Sequence, residues 1–265
     1  MKKTIRNSLV VYFLCTVIAC ANPQVKTDPP ASTNENQDAV HLLGIINNIN
    51  NNSPATFSAS FEADGNMRTQ QFKLSGTAFY DKNSEKLLMN FSDFIFKSQI
   101  SSLLRNGNNI EVFYIPENRI VLDSVETIRV SNYVPINMDF YLVYQLLTAR
   151  IPILENHSVY QVTKDGNKSF LVLENTGWYQ TIAFNSDEPA QIKFTNKSNS
   201  QEIEIYLRSP LNQNGSKYYR KIQFRVRGAG ITVNINTGWV RMNTPVNIRN
   251  SLINPGAAVT NLRRR

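Results

Sequence analysis

Most of the chain alternates apolar and polar residues at period two, in short runs separated by turn signals. The first group of runs covers 56–63, 67–80, 86–91, 99–105, 110–115 and 119–123. The second covers 159–164, 169–174, 179–184, 189–196, 201–208, 217–227 and 231–242. Asp64-Gly65-Asn66, Asn106-Gly107-Asn108-Asn109, Pro116-Glu117-Asn118, Asp165-Gly166 and Gly228-Ala229-Gly230 read as the turns between runs, because glycine and asparagine tolerate positive φ. In 67–80, Phe72, Leu74, Ala78 and Tyr80 share one face, while Lys73, Ser75 and Thr77 share the other. Gly76, inside that run, predicts a bulge or bend. About a dozen strands with few helices imply a mainly β fold with helices (α+β): a half-open, strongly curved antiparallel β-barrel.

Two stretches follow a helical period instead. Residues 40–49 place Leu42, Leu43, Ile46 and Ile49 on one face, giving a short N-terminal helix. Residues 140–148 are more apolar: Phe140, Val143, Tyr144 and Leu147 form one face, widened by Leu142 and Leu146. Asp139 can cap the start of this helix, and Pro152 ends the run. A helix so apolar must lie on something, and the strands on either side supply the surface. It either fills the core of an ordinary α+β domain or forms a lid over an apolar cavity, and nothing within the helix distinguishes these.

The N-terminus changes the picture. Lys2, Lys3 and Arg6 precede a short apolar core at 9–18, the pattern of a secretory signal rather than of a spanning helix, which needs about 20 apolar residues. Its end, Val17-Ile18-Ala19-Cys20, resembles the bacterial lipobox, which implies cleavage of residues 1–19 and acylation of Cys20. An ordinary signal peptide with a chance cysteine is the alternative. Residues 20–38 are polar, carry Pro29 and Pro30, and read as a disordered tether. Cys15 leaves with the signal, so no disulfide is expected in the mature chain. The domain itself is expected over 39–246, with 247–265 a basic mobile tail ending in Arg263-Arg264-Arg265.

Removing Lys2, Lys3 and Arg6 lowers the formal net charge from +8 to +5, without a dense basic stripe. That excludes nucleic acid as the expected partner and is compatible with anionic lipid. His41 and His157 are the only histidines, with no zinc-ligand spacing and no nucleotide-binding or nucleophile motif, so no metal, cofactor or catalytic residue is expected. Between two strands, Ser92-Asp93-Phe94-Ile95-Phe96-Lys97-Ser98 puts three large apolar residues where a loop should face water. Either they continue the strand and bury alternately, or Phe94, Ile95 and Phe96 form a tip that enters a membrane or meets a partner.

Three stretches carry a family resemblance. Val134-Pro135-Ile136-Asn137-Met138-Asp139, followed by 140–148 and Arg150-Ile151-Pro152, resembles the lid helix and lead-in of the lipoprotein-localisation factors, LolA/LolB-like proteins. Lys221-Ile222-Gln223-Phe224 with 231–242 is similar to that family's last hairpin, and the lipobox matches the lipid-anchored receptor rather than the soluble periplasmic carrier. The resemblance implies a half-barrel whose cavity, here lined by Phe72, Leu74, Tyr80, Leu87, Met89, Val112 and Tyr114 under Phe140, Val143, Tyr144 and Leu147, holds the acyl chains of lipoproteins or lipids. It implies a monomer that takes cargo from a periplasmic carrier and works at the periplasmic face of the outer membrane; Ala21 gives no strong inner-membrane retention signal. The receptor's protruding Pro-Leu-Gly loop is absent; Phe94-Ile95-Phe96 takes its place, and the carrier's cavity arginine has no counterpart. The competing reading is a surface or envelope lipoprotein that uses the same shell to bind partners without moving lipid.

Overall fold

The computed structural model describes residues 33–67, 70–125, 140–254 and 256–262. Cys20, the signal segment and the lead-in at 134–139 lie outside the described residues. Helix α1 (Thr33–Asn51) and helix α2 (Phe140–Leu147) accompany fourteen strands among the described residues. The first six are β1 (Thr56–Met67), β2 (Gln70–Asp81), β3 (Lys86–Asp93), β4 (Gln99–Asn106), β5 (Asn109–Tyr114) and β6 (Arg119–Ser124). After α2 come β7 (Ser158–Asp165), β8 (Lys168–Glu174), β9 (Trp178–Asn185), β10 (Glu188–Asn196), β11 (Glu202–Gln213), β12 (Ser216–Val226), β13 (Ile231–Met242) and β14 (Ala258–Asn261).

All fourteen join one curved, unclosed sheet in the order β14-β6-β5-β4-β3-β2-β1-β13-β12-β11-β10-β9-β8-β7. Every neighbouring pair is antiparallel except β14–β6. The expected half-open barrel is what forms. Its two halves are stitched by β1 against β13, so the chain's first and last long strands meet at the centre, while β7 is left at one free edge. A bulge between Val159 and Gln161 interrupts β7, which discourages pairing by a further strand.

Period two explains the layers. Phe57, Ala59 and Ala63 of β1, Phe72, Leu74, Ala78 and Tyr80 of β2, and Ile222, Phe224 and Val226 of β12 are all buried, and their registers place them on the concave side. Helix α1 lies over that side through Ala39, Leu42, Ile46 and Ile49, spaced to fall on one stripe. Full burial of a residue such as Ile46 contributes roughly 1.5–3 kcal/mol.

Several expectations are corrected. Helix α1 begins at Thr33, so part of the expected 20–38 tether is helical; Lys164 Nζ donates to Asp38 at 2.7 Å and helps hold that turn to β7. Gly65 is not in a turn. It lies within β1 opposite Phe72 and Val233, and a Cβ there would strike the Thr232 carbonyl, so glycine serves close strand packing. Gly76 causes no bulge either: the register runs unbroken from Phe61 to Gly76 to Phe91, and the missing side chain makes room for the Phe61 ring.

The largest correction concerns 247–254 and 256–262. Rather than trailing away as a tail, these stretches cross the convex face. Ile248 and Leu252 are buried with Leu88 and Leu104 in a second small core, which Phe79, Phe113 and Val246 flank. The buried Glu111 carboxylate accepts from Ser251 Oγ and from the Leu252 backbone N–H. Lys86 Nζ and Asn106 Nδ2 both donate to Asn250, and β14 then adds to β6. Leu88, Leu104 and Phe113 sit on strands whose other face is also apolar, and the strap is what keeps this second face from water.

Candidate functional site

The concave face and the helix across it are where sequence reasoning places a cavity. Phe72, Leu74, Tyr80, Leu87, Met89, Val112 and Tyr114 are all buried in the main core, as the floor. Tyr144 of α2 is buried above them, and Leu147 packs partly buried against the same core. The Phe140 and Val143 side chains lie outside the described residues. Floor and roof touch: the Tyr80 and Tyr144 rings meet edge to face at 6.1 Å between centroids, and the Arg105 guanidinium stacks 4.1 Å from the Tyr144 centroid. Burial first, and the hydrogen bond with Tyr144 second, push the Tyr80 phenol well above the ordinary tyrosine range. At the end of α2, the gap between Ile49, Leu146, Ile151, Tyr218 and Ile222 is only about 10 Å³, at the lower limit for one water. Among the described residues, roof and floor are in contact at Tyr80 and Tyr144.

Helix α2 ends as a Schellman turn. Arg150 N–H donates to Gln145 O at 2.9 Å and Ala149 N–H to Leu146 O at 3.2 Å, with Ala149 at a φ of 60°, where glycine is the usual choice. The extended segment that follows is clasped by amides. Asn50 Nδ2 donates to Ile151 O at 3.0 Å while Asn50 Oδ1 accepts from Ile151 N–H at 2.8 Å. Gln180, fully buried on β9 among apolar neighbours, donates to Pro152 O at 2.6 Å and accepts from Leu154 N–H at 3.0 Å. Sequence reading missed both residues. The signal for Gln180 was there: one amide at an inward position of an otherwise apolar strand needs a partner.

The 93–98 connection is a turn and not a continuation of β3. Asp93 Oδ1 accepts from Ile95 N–H at 2.9 Å and Phe96 N–H at 2.8 Å, and Lys97 closes the turn at a φ of 54°. Phe94 is half-buried between two ammonium groups, Lys73 Nζ at 3.7 Å and Lys97 Nζ at 4.4 Å from its ring centroid. Ile95 and Phe96 stand out, 78% and 71% exposed. The three expected tip residues therefore divide into a foot, Phe94, and two apolar points. Ile95 and Phe96 thus form an exposed apolar pair on a turn held by Asp93.

Other chemistry is sparse. His41 Nε2 lies 3.0 Å from Asp187 on the surface, and His157 Nδ1 lies 2.7 Å from Leu154 O. No group of three His, Cys, Asp or Glu side chains among the described residues is placed to hold a metal ion. No described helix is long and apolar enough to cross a membrane.

No protein-family model and no curated protein sequence matches the chain. Solved structures do. A LolA-superfamily protein of Nitrosomonas europaea superposes with a TM-score of 0.54 at 10% identity, over 77% of this chain and 94% of the other. A domain of an outer-membrane lipoprotein-sorting protein from Vibrio parahaemolyticus gives 0.58 at 11%, over 79% and 95%. The fold is LolA-like. A DUF1329-family protein of Desulfovibrio piger shares it, with 0.54 at 8% identity over 80% and 94%. At such identities the likeness extends to the backbone scaffold and not to side chains, so the LolA-like architecture explains the curved sheet and its covering helices. The tip, the amide clasps and the convex strap are read from this chain's own residues.

Proposed function

We propose that this protein is a lipid-anchored, acyl-chain-binding component of the bacterial envelope. It would accept lipoproteins or lipids from a periplasmic carrier and help insert them in the outer membrane. The observation that carries the reading is the tip: a turn fixed by Asp93 that holds Ile95 and Phe96 in solvent beside Lys73 and Lys97, at one end of an apolar half-barrel. Acylated Cys20 would keep the domain at the bilayer, since several buried acyl chains at about 0.8 kcal/mol per methylene make anchoring effectively permanent. The tip would then dip into the lipid surface. Acyl chains would enter where α2 lies on Tyr80, which requires the Tyr80–Tyr144 contact to open. No covalent step is needed, and the protein is proposed to act as a monomer without enzymatic activity.

Flotation with vesicles tests the tip. The mature chain, residues 20–265 with Cys20→Ser, so that neither acyl group nor signal segment contributes, is expected to float, and Ile95→Ser with Phe96→Ser is expected to stop it at unchanged thermal stability. Flotation that ignores the substitutions would remove the tip from the account. Mass spectrometry of lipid extracted from the purified protein tests the cavity; bound acyl chains are expected.

A second reading has its own observation. The edge-to-face contact of Tyr80 with Tyr144 and the 10 Å³ gap at the end of α2 suit a solid shell, one that displays its surface to envelope partners and carries no cargo. Protein that yields no lipid, even after Asn50→Ala loosens the roof, would favour that reading.

A further inference from the structure

Behind the tip, on the convex side, lies a groove of about 420 Å³ that the acyl-chain account does not use. It exists because β1 and β13 slip register between Ala59 and Phe61, and because Gly238 there has no side chain to abut Ser60 Oγ. Phe61, Gly76 and Gly238 give its lining a largely apolar surface, across which polar groups stand at cross-strand positions. Asn236, Glu62, Ser75 and Ser92 form one row across β13, β1, β2 and β3, and Ser60 with Thr77 forms the next. Lys97, from the tip turn itself, closes one end. Glu62 and Lys97 take part in no ion pair among the described residues. Trp239, next to Gly238 and 44% exposed, stands at the rim with Arg241 5.6 Å from its ring.

We infer that this groove binds the headgroup of a zwitterionic phospholipid carrying a primary ammonium, of the phosphoethanolamine class. A carboxylate on β1 and an ammonium from the turn beyond β3 match that headgroup's opposite charges. Glu62 takes the ammonium; Lys97 and the hydroxyls of Ser75 and Ser92 take the phosphate. Glu62 and Ser92 are two strand spacings apart, about 10 Å at the backbone, leaving room for both side chains and the ligand. The depth also agrees. Apolar groups such as Ile95 and Phe96 bury about 5–10 Å into the headgroup boundary, which would bring the groove that shares Lys97 to headgroup level. Trp239 beside Arg241 is the pairing expected at a membrane–water interface. A quaternary ammonium has no N–H to donate to Glu62, so phosphocholine should be held less well.

The inference rests on the tip reading, and flotation separates the two. The mature chain, residues 20–265 with Cys20→Ser, is mixed with neutral vesicles of phosphatidylcholine alone, or with half replaced by phosphatidylethanolamine. About threefold stronger binding to the mixed vesicles is expected, and Glu62→Gln should erase that preference while leaving the binding to phosphatidylcholine. Equal binding to both vesicle types, with Ile95→Ser and Phe96→Ser still weakening each, overturns the headgroup site and spares the tip. A preference that survives Glu62→Gln also overturns it, and absence of binding to any vesicle overturns both. Glycerophosphoethanolamine titrated into the protein without vesicles separates lipid from free headgroup. Binding as tight as to vesicles would overturn the assignment to membrane lipid.

Discussion

Asn50, in the last turn of α1, forms two hydrogen bonds with the backbone of Ile151, at 3.0 and 2.8 Å, so one side chain ties the two covering helices together. Gln180 repeats the device from below, through Pro152 and Leu154. The roof is thus held by a few directional contacts at its exit, and by apolar contact along α2. This distribution determines what each substitution should do.

Gln180→Leu is expected to destabilise the fold by about 2–4 kcal/mol, because it leaves the Leu154 N–H and the Pro152 carbonyl buried without partners. Urea unfolding checks it, and a loss below about 1 kcal/mol would mean that water replaces the amide. Asn50→Ala should cost less, since its site is only part-buried.

The Tyr80–Tyr144 contact can be weighed by a double-mutant cycle. Tyr80→Ala and Tyr144→Ala should each cost several kcal/mol, with a coupling of about 0.5–1.5 kcal/mol between them. If the roof is a lid, Tyr144→Ala should also raise the uptake of a fluorescent fatty acid. A variant that is less stable without binding more would point to a core helix.

Glu111→Ala should release the convex strap, because Ser251 Oγ and Leu252 N–H lose their shared acceptor. A cost of about 2–3 kcal/mol is expected, with increased binding of a hydrophobic dye as Leu88 and Leu104 open to water. Ending the chain after Val246 should reproduce the dye signal.

Alkaline pH should destabilise the protein through its tyrosines. Burial raises the Tyr80 and Tyr219 phenols above the ordinary value of 10.0, with Tyr144 adding to the first and Glu188 to the second. A raised folded pKa means that the unfolded chain loses its proton first. The contribution is therefore intact below pH 10 and is lost as pH rises above it. Thermal midpoints measured from pH 8 to pH 11 should fall beyond about pH 10. Tyr80→Phe and Tyr219→Phe should each flatten that fall, whatever they do to stability at neutral pH.

The thirteen strands read from alternation are all present, because an apolar residue at every second position has one stable use, the half-buried face of a sheet. Boundaries failed where a local signal was outvoted by neighbours. Asp64-Gly65-Asn66 has good turn chemistry, yet Gly65 extends β1 because only glycine fits against the Thr232 carbonyl. The run at 247–262 lacks periodicity, and its burial depends on Glu111 and Leu88, strands away in sequence. Among the site residues, the floor of the concave face and Tyr144 were legible from period and spacing. The clasp between Asn50 and Ile151 was not, since it joins residues 101 positions apart.

What the sequence determined by itself was the inventory: which residues form strands, which side of each strand is apolar, and that three large apolar residues, Phe94, Ile95 and Phe96, interrupt a polar connection. These follow from side-chain chemistry at fixed backbone periods, which act within a few residues. Only the tertiary structure decided that the roof meets its floor, that the last segment covers the second apolar face, and that a register slip opens a groove behind the tip. Those features depend on how far apart packed surfaces come to rest, and that distance is set by all the strands together.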